Sequence, residues 1–365
     1  MRRFITGPLL GLLESIVAVV AAGFLGAIVL LLTGHNPLAA YGALVERMFL
    51  GSTGASEAIV RAAPLLFAGT GVLVAVRAGV WNIGIDGQVI AGALSCAVVA
   101  DFLVGRAPAP VMWCAAAAAA LAAGAAWAFV PGILRARLGL NEIITTIMFN
   151  YVAFSLASWL VKGPLRDPTL VAPQTPLIPR ADRLPALGDT RLHLGVLVAL
   201  IAALGVGFLL NASRAGFELG IVGERPRVAR YALLPVQRLL LIAFLVSGAL
   251  AGLAGANDIL ATRGTYQADW SPGYGLTAFA LVFLAHRRAV GLVPAALLLG
   301  GLAYGADVLP RAAGVAPSFF DLLEGFILAM LALIAVLPIR REGIREALPP
   351  PSPTPLNSVT SGANS

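Results

Sequence analysis

Ten apolar runs, all but one close to the roughly 20 residues that a helix needs to cross a hydrocarbon core, decide what this chain can become. They lie at about 9–32, 58–78, 83–104, 110–134, 142–161, 192–211, 237–261, 273–285, 289–309 and 319–338. Inside a bilayer the backbone has no water to bond, so runs of this kind fold as helices. The expected fold is all-α, a polytopic membrane helical bundle of about ten transmembrane helices. The eighth run is short, and the third opens on the Gly-broken string N-I-G-I-D-G-Q at 82–88, so both are expected to be discontinuous or tilted.

Composition excludes the other broad classes. With 59% hydrophobic and 12% charged residues and a mean hydropathy of +0.89, a soluble fold of 365 residues could not hide its apolar surface. The net charge is +7, and all but Lys162 of the 25 basic residues are Arg. Without a basic stripe interleaved with aromatics, that charge fits loops facing anionic lipid rather than nucleic acid. Cys96 and Cys114 both sit in apolar segments and read as small buried thiols. His35, His193 and His286 are scattered, which argues against a metal site. Met1-Arg2-Arg3 precedes an apolar run with no small-residue cleavage site, so the first span is expected to be retained.

Basic residues set the orientation. With the amino terminus in the cytosol, the inner segments collect Arg2, Arg3, Arg77, Arg135, Arg137, Arg214, Arg225, Arg227, Arg230, Arg238, Arg287, Arg288, Arg340, Arg341 and Arg345, fifteen of the 25. That bias places both termini in the cytosol, with the protein multi-pass in the cytoplasmic (inner) membrane. Residues 1–345 are then expected to be one transmembrane domain, and 346–365, rich in Pro, Ser and Thr, a disordered cytosolic tail. Residues 36–50 are expected to form a short amphipathic helix at the outer interface, begun by Asn36-Pro37. The outer loop 162–191 carries six prolines that deny it a long helix and leave an irregular cap able to receive a partner protein. The inner loop 212–236 is long and Arg-rich, with a short helix expected from Arg225 to Leu233 and Pro226 in its first turn. Its exposed side chains Glu224, Arg225, Arg227, Arg230 and Tyr231 suit either a groove on a soluble partner or a solvated loop that fixes topology.

Polar residues within apolar runs mark function, because an Asn, Asp or Glu facing hydrocarbon loses its water partners. On this topology Asn82, Asp86 and Gln88 lie near the inner mouth with Asn141 and Glu142, where a gating role suits them. Thr145, Thr146 and Asn150 lie deeper on the fifth span. All three, with Thr146 and Asn150 at i and i+4 on one face, offer hydrogen bonds to the polar groups of a solute. Plainer readings stand beside these. Thr145, Thr146 and Asn150 would hydrogen-bond between helices rather than to solute; Asp86 would cap the third span; Arg61 and Arg77 would snorkel to opposite interfaces. Gly248-x-x-x-Gly252 and Gly301-x-x-x-Gly305 fit close helix packing.

Four strings carry a resemblance: R-A-G-V-W-N-I-G-I-D-G-Q from Arg77, G-L-N-E-I-I-T-T-I-M-F-N-Y from Gly139, V-G-E-R-P-R-V-A-R-Y-A from Val222 and S-P-G-Y-G-L-T-A-F-A from Ser271. In this order they resemble the permease subunits of nucleoside and simple-sugar ABC importers, over roughly residues 36–340. The pattern Asn141 to Tyr151 is similar to the nucleoside type more than to ribose or branched-chain amino-acid permeases. The chain departs from that pattern with Asp86 in place of the common Glu, and with His286-Arg287-Arg288 in place of a Gly-rich turn. The resemblance implies a transport subunit with no catalytic residues and no cofactor of its own. Its implied partners are an ATPase subunit that holds ATP and magnesium, a second permease (a paralogue or a copy), an extracytoplasmic solute-binding lipoprotein, and membrane lipid, with no nucleic acid. A phosphate-binding loop needs Gly-Lys-Ser or Gly-Lys-Thr, and Lys162 lies in W-L-V-K-G-P, so ATP hydrolysis is expected in that separate subunit. The alternative is a secondary transporter of a small polar solute driven by an ion gradient. An intramembrane hydrolase built on Asp86 and Asp307 is disfavoured, because the topology puts those carboxylates at opposite faces.

Overall fold

The computed structural model describes residues 2–50, 53–188 and 190–336, so the expected tail at 346–365 lies outside the described residues. Each of the ten expected spans falls on a helix. In chain order the helices are α1 (Arg2–Leu32), α2 (Pro37–Val45), α3 (Gly54–Arg77), α4 (Ile85–Leu103), α5 (Ala109–Leu138), α6 (Glu142–Lys162), α7 (Leu194–Ala212), α8 (Arg214–Glu224), α9 (Pro226–Tyr231), α10 (Val236–Asn257), α11 (Tyr274–Leu284), α12 (Ala289–Ala313) and α13 (Ser318–Val336). Among the described residues, eight helices are long and apolar enough to cross a membrane; α11 is shorter. One π-helical turn, Asp258–Arg263, prolongs α10, and another, Glu46–Leu50, follows α2.

Local chemistry sets the helix ends. Asn36 accepts from the nitrogens of Leu38 and Ala39 at 2.9 and 3.3 Å, and Pro37 takes the first helical position of α2. Gly139, at φ +66°, closes α5 in the left-handed conformation that a side chain resists. Asn141 caps α6 and Ser213 caps α8. The His286-Arg287 turn after α11 is also left-handed, at φ +48° and +57°, although neither residue is glycine. Each such residue costs roughly 1–2 kcal/mol. The His286 ring is held against the Gly11 carbonyl and 3.0 Å from Ser15 Oγ on α1, which offsets part of that cost.

The bundle has α10 at its centre, packed against α5, α4 and α3. Association of helices in lipid gains nothing from excluding water, so close approach of small residues must supply the attraction. The Gly248-x-x-x-Gly252 face does this. A Cβ on Gly248 would collide with the Gly124 carbonyl of α5, and one on Gly252 with the Ala120 carbonyl. Gly92 of α4 meets the backbone of Gly252 from the other side. The Gly301-x-x-x-Gly305 pair differs: side chains of Met48, Leu44 and Phe320 fill its space.

Connections alternate between two ends of the bundle. One, the basic end, carries the α3–α4 connection, the α5–α6 corner, α8 with α9, and the α11–α12 turn. The other, the cap end, carries α2 and the Pro-rich connection after α6. That connection is irregular as expected, with one 3-10 turn at Arg180–Asp182. It lies along the chain that follows α10: Thr175 N donates to the Tyr266 carbonyl at 3.0 Å, and Ile178 N to the Gly264 carbonyl at 2.8 Å. From Tyr266 the chain turns back into the bundle without regular structure until Gly273. With eleven residues, α11 spans only about 16 Å, half of a hydrocarbon core about 30 Å thick. Its last turn is fixed at the basic end, where Ser15 Oγ donates to the Leu284 carbonyl at 2.8 Å. Its first turn therefore lies inside the bundle.

Candidate functional site

Non-helical backbone at membrane depth must be buried in protein or line a wet cavity. Two such stretches meet in this bundle: residues 78–84, which precede α4, and residues 270–273, which precede α11. Asp86, in the first turn of α4, accepts from the Gly275 nitrogen of α11 at 2.8 Å. It serves the neighbouring helix, whereas α4 begins at Gly84 with no side-chain cap. That differs from the expected cap of its own span. The Tyr274 hydroxyl donates to Asp258 Oδ2 at 2.8 Å. Two carboxylates from different helices thus hold consecutive residues at the start of α11. An anionic group near a helix amino terminus is favoured by the helix dipole as well as by the hydrogen bond. Ser271 and Gly273, just before this point, are exposed.

A second knot secures the start of α4. Asn82, fully buried, donates to Gln88 Oε1 and to Ser247 Oγ of α10, each at 2.9 Å, and Gln88 Nε2 returns a bond to Asn82 Oδ1 at 2.9 Å. Asn150 of α6 bridges the same stretch, accepting from Gly87 N at 2.8 Å and donating to the Ile83 carbonyl at 2.9 Å. Thr146 packs against Gly84 but returns its hydroxyl to the Glu142 carbonyl of its own helix at 2.6 Å. The structure therefore brings together Asn82, Asp86, Gln88, Thr146 and Asn150.

It separates Asn141, Glu142 and Thr145 from them. Asn141 Oδ1 accepts from Ile143 N at 2.9 Å as the cap of α6. Glu142 is buried beside Arg135, 3.3 Å from its Nε, at the α5–α6 corner. The Thr145 hydroxyl donates to the Asn141 and Glu142 carbonyls. Arg61 and Arg77 also differ from the snorkelling expectation. Arg61 pairs with Asp307 of α12, and Arg77 lies against Gly220 of α8.

At the basic end the inner loop forms two helices where one was expected. Glu224, Arg225, Arg227, Arg230 and Tyr231 are all exposed along the α8–α9 elbow and α9. Ala229 alone anchors α9 in the core. Tyr231 is 89% exposed and Leu233 90%, and Leu233 sits at φ +55° where glycine would be relaxed. At the cap end Asp269, at φ +61°, receives Lys162 Nζ at 2.7 Å and Ser158 Oγ at 2.8 Å from α6. These bonds hold the Asp269 carboxyl below the usual carboxylate range.

Sequence reasoning missed Ser247, Asp258 and the Tyr274-Gly275 pair as members of this site. The signal for the last was the S-P-G-Y-G string, whose Pro and Gly interrupt an apolar run. Trp81 was missed too; it stacks on Phe279 of α11 at 5.8 Å between ring centroids.

A helical membrane bundle whose interrupted helices meet at a polar knot, and which offers a structured elbow at one end, is the membrane-spanning part of a transporter. Residues 54–334 match the family described as the branched-chain amino acid transport system / permease component, and the chain belongs to that family. It is 34% identical to a guanosine ABC transporter permease protein of Bacillus subtilis, over 88% of this chain and 93% of the relative. It is 32% identical to a glucose ABC transporter permease protein of Haloferax volcanii, over 87% and 86%. It is 30% identical to a nucleoside ABC transporter permease protein of Lactococcus lactis, over 90% and 92%. The chain is thus a multi-pass permease subunit of an ABC importer.

Proposed function

We propose that this permease carries a nucleoside or a related simple sugar across the cytoplasmic membrane by alternating access, driven by a separate ATPase subunit that docks on α9. The observation that carries the docking is Leu233, strained in its backbone and exposed together with Tyr231 and Val228 beside Arg227 and Arg230. A strained, exposed apolar residue is not rewarded by the stability of the isolated chain; a partner's groove rewards it. The basic end then faces the cytosol with both termini, a reading that the Arg distribution supports. ATP and magnesium belong to the ATPase, and this chain holds no cofactor.

Closure of the ATPase displaces the α8–α9 elbow, and the bundle rocks between its two openings. The α4 and α11 starts, with Asn82, Asp86, Gln88, Thr146 and Asn150, form the gate. Asn141, Glu142 and Thr145 stiffen the corner from which α6 rises. Glu224, Arg225, Arg227, Arg230 and Tyr231 form the coupling surface. A second permease, as a copy or a paralogue, supplies the opposite wall, and an extracytoplasmic lipoprotein delivers solute to the cap. Support for the solute class comes from the guanosine, nucleoside and glucose permeases to which the chain is similar. The test is radiolabelled guanosine uptake by cells expressing the complete importer, competed with unlabelled nucleosides, pentoses, glucose and branched-chain amino acids. Competition by nucleosides or sugars is expected. Competition by leucine alone would overturn the solute assignment.

A further inference from the structure

Between the α8–α9 elbow and the gate lies a joint made almost entirely of backbone. Gly216, Gly220 and Gly223 follow one face of α8 at i, i+4 and i+7. Gly216 meets the end of α7, and Gly220 and Gly223 both meet the end of α3. A Cβ on Gly216 would collide with the Leu210 carbonyl at the end of α7. One on Gly220 would lie 3.2 Å from the Arg77 guanidinium, and one on Gly223 would strike the Arg77 carbonyl and come within 2.8 Å of the Gly79 nitrogen. Gly79 in turn sits at φ +77°, with its own hypothetical Cβ 2.8 Å from the Gly223 Cα. Thus α8 rests on the end of α3 with no side chain between the two backbones at this point.

Three residues beyond Gly79 is Asn82, tied to Gln88 of α4 and Ser247 of α10. Four residues further, Asp86 holds Gly275 of α11. Flexible side chains absorb displacement by changing rotamer, whereas backbone in contact with backbone passes it on. We propose that the Gly223–Gly79 contact is the joint through which movement of the coupling surface reaches the gate, with Arg77 and Gly220 keeping it aligned. This rests on the reading of the chain as driven by an ATPase at its basic end. It adds that the stroke enters through α8 and the α3–α4 connection. The exposed α9 alone does not deliver it.

The experiment is hydrogen exchange on the complete importer in nanodiscs, with and without trapping by ATP, magnesium and vanadate. In the unaltered complex, trapping is expected to change exchange both in 225–234 and in 78–88, by about fivefold or more, the lower end of coupling between linked sites. In Gly223→Ala the change in 225–234 persists and that in 78–88 disappears, while Gly205→Ala, whose added Cβ meets nothing within 4 Å, behaves as the unaltered complex does. An undiminished response of 78–88 in Gly223→Ala would overturn the joint and leave the docking intact. Absence of both responses in the unaltered complex would remove the docking and the joint together. Should Gly223→Ala fail to assemble, Gly220→Leu carries the test, since its side chain presses on the flexible Arg77. A reduced response of 78–88 is expected there, and a full one overturns the joint.

Discussion

Asp86 in the first turn of α4 holds the backbone nitrogen of Gly275 in the first turn of α11 at 2.8 Å, across 189 residues of sequence. The bond joins two helices that both begin within the bundle, and it answers a backbone donor that the surrounding lipid could not.

Asp86→Asn keeps an acceptor at this distance, whereas Asp86→Ala leaves the Gly275 nitrogen without it. Loss of a buried hydrogen-bond partner costs about 1–3 kcal/mol, which corresponds to roughly 5- to 150-fold in the population of the correctly gated state. Uptake by Asp86→Ala is expected to fall by that factor at equal complex abundance, while Asp86→Asn stays close to the unaltered protein. Equal uptake by both variants would show that the bond does not matter to transport.

Asn150 and Thr146 share a helix face but not a role. Asn150→Leu strands both Gly87 N and the Ile83 carbonyl, so its thermal unfolding midpoint in detergent should drop along with uptake. Thr146→Val loses only a bond to its own helix and strands no group of a neighbouring helix, so its midpoint should fall less than that of Asn150→Leu. A raised half-saturation for uptake in Thr146→Val would instead place this hydroxyl against the solute.

The α10–α5 seam gives a packing test. Gly252→Leu drives a side chain into the Ala120 carbonyl and should destabilise the bundle by roughly 1–3 kcal/mol or prevent assembly. Gly205→Leu, on an open face of α7, should be neutral by size-exclusion profile and melting temperature. Equal behaviour of the pair would mean that the seam is not closely packed in the membrane.

Reversing Arg227 and Arg230 to Glu alters charge on the exposed side of α9 and leaves Ala229 in its place. Membrane insertion should be normal, with uptake per ATP hydrolysed at least about tenfold lower, since losing one partner of a charge pair buried under a docked subunit costs about 2 kcal/mol or more. An unchanged ratio would assign these residues to topology alone.

Much of this was legible because apolar length and interruption are local properties. The ten spans, the short α11, the late start of α4 and the Gly248–Gly252 seam follow from runs and spacings within single segments. The helix after Arg225 was legible for the same reason, from Pro226 and the following residues. Partnerships across the chain were not. Nothing near Asp86 names Gly275 as its partner, and Ser247 looks like any small residue in an apolar run. Arg61 read alone suggests an interface residue, because Asp307 lies 246 positions away. The helix α8 was hidden by its glycines, which favour turns in isolation; here they are needed because each faces a neighbouring backbone or a packed guanidinium.

A gate moved from its basic end by an engine in another subunit must depend on ATP and stop without that subunit. The most direct measurement reconstitutes the complete importer in proteoliposomes with its lipoprotein and radiolabelled guanosine, and compares ATP with proton and sodium gradients as the energy source. Accumulation that requires ATP, and that stops when the ATPase subunit is left out, is the expected result. Accumulation by this chain without the ATPase, powered by a proton or sodium gradient, would contradict the account.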